Sequence, residues 1–212
     1  MSTQQLETYL NSLVPQRPSL VRQLEAYADK HNFPIIGPAA GYFCYQQARL
    51  IKAQRIFELG SGYGYSTYWF ARAVAENHPD GSGEVFHTVW DEELSQQARS
   101  HMAALKLDHL VRYHVSEAVA ALRETDGPFD LIFNDINKEG YVASLPVIEE
   151  KLRPGGLLII DNMIWSGRIF DENDTSEATE GIREFTRRIT SSDNWIATLV
   201  PIRDGLIVAQ KQ

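Results

Sequence analysis

"RIFELGSGYGYS", Arg55–Ser66, is the stretch on which the fold turns. Ile56–Leu59 is an apolar run interrupted by Glu58, and Gly60, Gly62 and Gly64 then alternate before "YSTYWFARAVAEN", a helix-forming segment. A strand that runs into a glycine-rich turn and then a helix is the opening unit of a doubly wound α/β sheet, where backbone N–H groups at the turn can cradle a nucleotide. Outward from it the alternation repeats. "GEVFHTVW", "VRYHVS", "FDLIFND" and "GLLIID" read as strands, with "ELSQQARSHMAAL", "EAVAALRE" and "YVASLPVIEEKL" as the helices between them. Parallel strands need such crossovers, so the expected fold is α/β, a doubly wound, mostly parallel sheet with helices on both faces.

The two ends of the chain depart from this rhythm. Beyond "SEATEGIREFTRRITS", a helix with acidic residues early and Arg187-Arg188 late, "WIATLVPI-RDG-LIVAQK" reads as two β-rich runs about an Asp-Gly turn, an antiparallel C-terminal hairpin. From Leu6 to Lys30 apolar residues recur at helical spacing, broken by Pro15 and Pro18, which predicts two amphipathic helices. "NFPIIGP" then reads as extended, with a helix over about residues 41–51. No linker-like or repeated stretch divides the 212 residues, so one domain over 1–212 is expected, with residues 1–40 as an N-terminal helical cap.

A net charge of -8 argues against nucleic acid or an anionic membrane as partner, because both call for a basic surface, and favours a small molecule. Cys44 is alone, so no intrachain disulfide can form, and a buried thiol is expected. "MSTQQLETYLNSLVP" lacks the basic start and apolar core of a signal peptide, and no apolar run approaches the roughly 20 residues of a membrane span. The expected location is cytoplasmic. No pair of the six histidines has zinc-site spacing, and each reads as a surface or interhelical residue.

Glu58 narrows the ligand. A carboxylate at the strand tip repels a pyrophosphate and suits an amino group, and Tyr65 stands where a dinucleotide fingerprint has its third glycine. An adenosyl amino acid fits better than a nicotinamide dinucleotide, so a dehydrogenase is disfavoured. Two more strands end in polar groups that a core would reject: "LIFNDINKEGY" at Asn134-Asp135, with Lys138 three residues on, and "LLIIDNMIW" at Asp161-Asn162. Successive strands of a doubly wound sheet deliver their C-terminal residues to one crevice. Two carboxylates meeting there without a cation would repel, whereas a hard divalent ion is satisfied by two carboxylate oxygens and an amide oxygen.

The E-x-G-x-G-x-G pattern with its terminal hairpin resembles the Rossmann-like class I methyltransferases that use S-adenosylmethionine. The whole chain, through "FPIIGPAAGYF", "FELGSGYGYST", "FDLIFNDINKEGY", "LRPGGLLIIDNMIWSGRI" and "VPIRDGLIVAQK", is similar to the cation-dependent O-methyltransferases typified by the caffeoyl-CoA and catechol enzymes, and to their small bacterial members. The resemblance implies Asp135, Asp161 and Asn162 as ligands of Mg²⁺, or Mn²⁺ or Ca²⁺ in its place, and Lys138 as the catalytic residue beside the acceptor hydroxyl. Asn137 stands where many relatives have Asp. It implies a cofactor site of Ile36, Glu58, Gly60, Gly62, Gly64, Ser66, Asp91, Glu117 and Asp135, with Asp91 for the ribose hydroxyls and Glu117 for the adenine. The acid for the ribose often sits two residues earlier, where this chain has Val89, and Asp91 reads equally as a helix N-cap. Trp165 is a candidate wall for an aromatic acceptor or packs under its own loop, and Arg168 with "FDENDTSEATE" reads as a mobile acidic loop over the site. Relatives are commonly homodimers.

The expected reaction is methylation of one hydroxyl of a vicinal-dihydroxy aromatic molecule of catechol, caffeoyl or flavonoid type. Two alternatives stay open: methylation of a hydroxyuridine in tRNA, and a non-catalytic protein that binds S-adenosylmethionine.

Overall fold

The computed structural model describes residues 3–212; Met1 and Ser2 of the expected domain lie outside the described residues. Its strands are β1 (Arg55–Leu59), β2 (Glu84–Val89), β3 (Val111–Val115), β4 (Phe129–Asn134), β5 (Leu152–Ile160), β6 (Trp195–Val200) and β7 (Leu206–Lys211). They form one sheet in the order β3-β2-β1-β4-β5-β7-β6, parallel except where β7 joins β5 and β6. The chain winds outward from β1 to β3 and then returns to β4 on the other side of β1. That reversal opens a crevice at the carboxyl ends of β1 and β4.

The central strands bury both faces. Ile56, Leu131, Phe133, Leu157 and Ile159 enter one apolar core, while Phe57, Leu59, Ile132, Leu158 and Ile160 enter the other. Period-two alternation between two cores is what a strand covered on both sides requires. The first core lies under α2 (Ser19–His31), α3 (Gly37–Leu50), α4 (Tyr65–Asn77) and α5 (Glu92–Ala104), with α1 (Thr3–Ser12) against α3. The second lies under α6 (Ala118–Glu124), α7 (Tyr141–Lys151) and α8 (Glu177–Ser191). Val21, Leu24 and Ala28, at helical spacing on α2, are buried in the first core, so the N-terminal helices are part of the packing. Cys44 is buried among them as a free thiol.

Three sequence expectations shift. α3 begins at Gly37, four residues earlier than the pattern indicated, because Pro38 falls in its first turn, where a missing N–H leaves no helical bond unmade. β5 begins at Leu152, because Leu152 pairs with Phe129 and the register then slips before Leu157 meets Leu131. His87 is no surface residue: it is wholly buried on β2, its Nδ1 is 3.0 Å from Thr67 Oγ1, and burial pulls its pKa down to about 3. α8 follows its charge pattern, with Ser176 accepting from the Thr179 N–H as N-cap, Glu177 and Glu180 in the first turn and Arg188 in the last. Among the described residues no helix is long and apolar enough to cross a membrane.

Candidate active site

Strand register assembles the site. Leu59 on β1 pairs with Asn134 on β4, and Asn134 pairs with Ile160 on β5, so the next residue of each strand, Gly60, Asp135 and Asp161, forms a row across the sheet edge. Backbone bonds continue past the strands: the Asp135 N–H donates to Leu59 O at 2.8 Å and the Asp161 N–H to Asn134 O at 3.1 Å. Asn134 itself is structural, since its Nδ2 donates to Ser144 Oγ on α7 at 3.0 Å. Gly60 has φ 85°, and a Cβ there would lie 2.6 Å from Asp135 O, so the glycine is what lets β1 and β4 keep this approach. Gly62 and Gly64 also take positive φ, at 49° and 90°.

A crevice of about 730 Å³ opens over this row, within the range of small-molecule sites. Of the expected residues, Ile36, Gly60, Gly62, Ser66, Glu117, Asp135, Lys138, Asp161, Asn162 and Trp165 all line it. Gly64 lies just behind, as the N-cap of α4. Glu58 is fully buried beneath the glycine loop, where neither carboxylate oxygen has a hydrogen-bond partner. Burial pushes its pKa up to about 7; the hydroxyls of Ser66, Thr67 and Ser61 hold the rise down without reaching good bonding geometry, and Asp135 adds to it. An orphaned carboxylate under a nucleotide-type loop fits a cationic amino group.

Two expected residues turn out to be helix caps. Asp91 is exposed, accepts from the N–H groups of Glu93 and Leu94 at the start of α5, and stays outside the crevice wall, which Thr88, Val89 and Trp90 form instead. Glu117 caps α6 through both oxygens, to the N–H groups of Val119 at 2.8 Å and Ala120 at 2.6 Å, yet still faces the crevice.

At the far end, Lys138 Nζ donates to Asp135 Oδ1 at 2.9 Å and to Ile136 O at 3.1 Å, and its side chain is only 10% exposed. The ammonium lies 5.1 Å from the Tyr141 ring and 5.8 Å from the Trp165 ring. Asp161 is almost wholly buried; its pKa is raised by burial first and by Asp135 second, with Arg203 pulling it back. Its Oδ1 has no partner and its Oδ2 accepts from Arg203 Nη1 at 2.8 Å. Asn162 Nδ2 donates to Asp204 Oδ2 at 3.1 Å, which leaves its carbonyl oxygen turned the other way. Two carboxylates, one of them with a buried free oxygen, and an amide carbonyl suit a hard divalent cation. Among the described residues no cluster of three His, Cys, Asp or Glu offers a richer site.

Arg203, Asp204 and Trp90 went unnoticed in the sequence. The one signal for the first two was an Arg-Asp-Gly turn directly opposite, in the hairpin, the strand that carries Asp161. The expected acidic loop over the site is tied down: Arg168 Nε donates to Asp174 at 2.6 Å and holds that carboxyl well below the usual range, and Arg183 donates to the carbonyls of Ile169, Asp171 and Asp174.

Comparison with known proteins agrees with this geometry. A family model described as O-methyltransferase matches residues 12–212. The chain is 32% identical over 183 residues to a catechol O-methyltransferase of Niastella koreensis, covering 82% of this chain and 80% of that one. It is 31% identical over 182 residues to a catechol O-methyltransferase of Mycobacterium tuberculosis, covering 84% and 80%. Among solved structures, the O-methyltransferase TomG of Streptomyces achromogenes, in complex with S-adenosylmethionine, superposes with a TM-score of 0.87 at 25% identity over 100% of both chains. An O-methyltransferase of Bacillus cereus bound to S-adenosylhomocysteine gives 0.86 at 26%, over 98% of this chain and 97% of that one. With a glycine loop over an orphaned carboxylate and a family match along nearly all its length, this chain belongs to the S-adenosylmethionine-dependent O-methyltransferases of the catechol and caffeoyl-CoA type.

Proposed function

We propose that this enzyme methylates one of two neighbouring hydroxyls on a small aromatic acceptor, with a divalent ion, Mg²⁺ or in its place Mn²⁺ or Ca²⁺, held by Asp135, Asp161 and the Asn162 carbonyl. The observation that carries the reading is the buried, partnerless Asp161 Oδ1 in the same row as Asp135. When bound, the cofactor supplies the sulfonium methyl group and the ion supplies positive charge that acidifies a chelated hydroxyl. The chain's own residues then do the rest by position. Glu58 offers the counter-charge for the amino group of the donor, and the glycine loop, Ile36, Ser66 and Glu117 seat its adenosyl part. Lys138 Nζ either takes the hydroxyl proton or, as the ammonium paired with Asp135, stays beside the developing oxygen charge. Trp165 walls the acceptor ring, with its Nε1 buried and without a hydrogen-bond partner.

A homodimer and a cytoplasmic location complete the reading, the first on the strength of the resemblance. The test is the initial rate of methyl transfer from labelled cofactor, with chelator or Mg²⁺, to a vicinal-dihydroxy aromatic and to its single-hydroxyl analogue, with bulk unmodified tRNA alongside. Activity only with the ion and only on the dihydroxy compound is expected. Full activity in chelator, equal rates on both aromatics, or labelling of tRNA alone would overturn it.

A further inference from the structure

The Arg203–Asp204–Gly205 turn between β6 and β7 is built onto the strand end that carries Asp161, and of its residues Arg203 has no part in the reaction as proposed. Ile160 pairs antiparallel with Ile207, so the residues before β7 fold back over those after β5. The N–H groups of Met163 and Ile164 donate to Gly205 O at 2.9 Å and Asp204 O at 2.8 Å, and a Cβ on Gly205 would lie 2.5 Å from Ile164 Cγ1. Arg203 is held at φ 53°, a conformation that L residues seldom adopt, and its guanidinium reaches Asp161 across this docked turn.

We propose that Arg203 is an internal cation that competes with the divalent ion for the charge of Asp161: it holds Oδ2 while the ion would take the free Oδ1, so that the ion pair weakens metal binding. The inference rests on the metal reading of Asp135, Asp161 and Asn162. Asp161 is 1% exposed, and among the described residues its one side-chain partner is Arg203, at Oδ2. A divalent ion seated on Asp161 would lie within a few ångströms of the guanidinium, and the repulsion between them is strong where water is scarce. Arg203 has somewhere to go: its side chain is 25% exposed and lines the crevice, whereas Asp161 is fixed by its backbone bond to Asn134 and by Tyr141 Oη, which donates to Asp161 O at 2.9 Å. Metal binding therefore loosens the hold of Asp161 on this guanidinium, at the acceptor end of the crevice.

The experiment measures Mn²⁺ affinity by calorimetry at pH 8, with melting temperatures, for the wild type, Arg203→Gln and Arg203→Lys. Removing the charge should tighten Mn²⁺ binding by roughly tenfold or more, while the lysine variant, which keeps it, stays within about threefold of wild type. Metal-free Arg203→Gln should melt below wild type, and saturating Mn²⁺ should close the gap, which a merely structural arginine would not allow. In the wild type the Arg203 Nε–H resonance, identified as the one missing from the lysine variant, should move on titration with Mg²⁺; this readout serves even where the glutamine variant does not fold. Equal or weaker Mn²⁺ binding by Arg203→Gln, or a resonance that does not respond to Mg²⁺ in a protein that binds it, overturns the competition alone. Absence of Mn²⁺ binding in wild type and variants overturns both the competition and the metal reading.

Discussion

Asn162 Nδ2 donates to Asp204 Oδ2 across 42 residues of sequence, at 3.1 Å. Asp204 accepts only, so it fixes which end of the Asn162 amide faces it and leaves the carbonyl oxygen for the crevice. Its other oxygen takes the Ser166 N–H at 2.6 Å, so the carboxylate is itself anchored. Replacing Asp204 with Ala should lower Mn²⁺ affinity by roughly 10–100-fold, the usual loss when a residue that orients a metal ligand is removed. This is opposite in sign to the change expected for Arg203→Gln. Calorimetry on both variants checks it, and unchanged affinity in Asp204→Ala would show that Asn162 needs no orienting partner.

Glu58 should make the cofactor-free protein sensitive to pH. Its folded pKa of about 7 lies above its ordinary 4.5, so its contribution to stability is fully present below 4.5 and is lost as pH rises through 7. Over that window wild type should lose on the order of 3 kcal/mol relative to Glu58→Gln, which cannot titrate. Urea denaturation of both proteins between pH 4.5 and 8 gives the difference directly. Affinity for S-adenosylhomocysteine should move the other way, rising with pH in the wild type and staying flat in Glu58→Gln. A flat wild-type profile would separate Glu58 from the amino group.

Lys138 is held in place by Asp135 and Ile136 before any acceptor arrives. Lys138→Ala should reduce kcat by roughly 10²–10⁴-fold and leave the affinity for S-adenosylhomocysteine nearly unchanged. Steady-state rates with saturating Mg²⁺, beside a binding titration, check both halves. Undiminished kcat would return Lys138 to a purely structural ion pair.

Asp91 caps α5 from outside the crevice. Asp91→Ala should cost about 1 kcal/mol of stability, as the loss of an N-cap does, and Asp91→Asn much less. Affinity for S-adenosylhomocysteine should stay within about twofold in both, since neither removes a residue of the crevice wall. A loss of roughly tenfold in affinity would instead put the ribose hydroxyls on Asp91.

Strand character, the glycine turn and the two polar strand ends were legible because they are local. An apolar run that stops at Asn-Asp or Asp-Asn is visible in five or six residues, and the period of two or of about 3.6 is visible in ten. His87 shows the limit of that reading. Its neighbours gave the strand, but burial of an imidazole depends on what packs over β2, and Thr67 on another element supplies its partner. α3 shows a smaller limit, since a proline near a glycine reads as a break until the helix that follows is seen to start there.

The sequence by itself determined the class of sheet, the order of its elements, the helical N-terminus, the terminal hairpin and the identity of Glu58, Asp135, Asp161 and Asn162 as polar groups out of place. Each is a property of composition and spacing along one stretch of chain. Tertiary structure alone decided that Gly60, Asp135 and Asp161 stand in one row, because that follows from the register of three strands whose residues lie up to about a hundred positions apart. It alone decided that Asp91 stays outside the crevice wall and that Arg203 and Asp204 reach Asp161 and Asn162. Hydrogen bonds and ion pairs form between whichever groups the packed backbone brings within about 3 Å, and that proximity is not encoded in any single stretch of sequence.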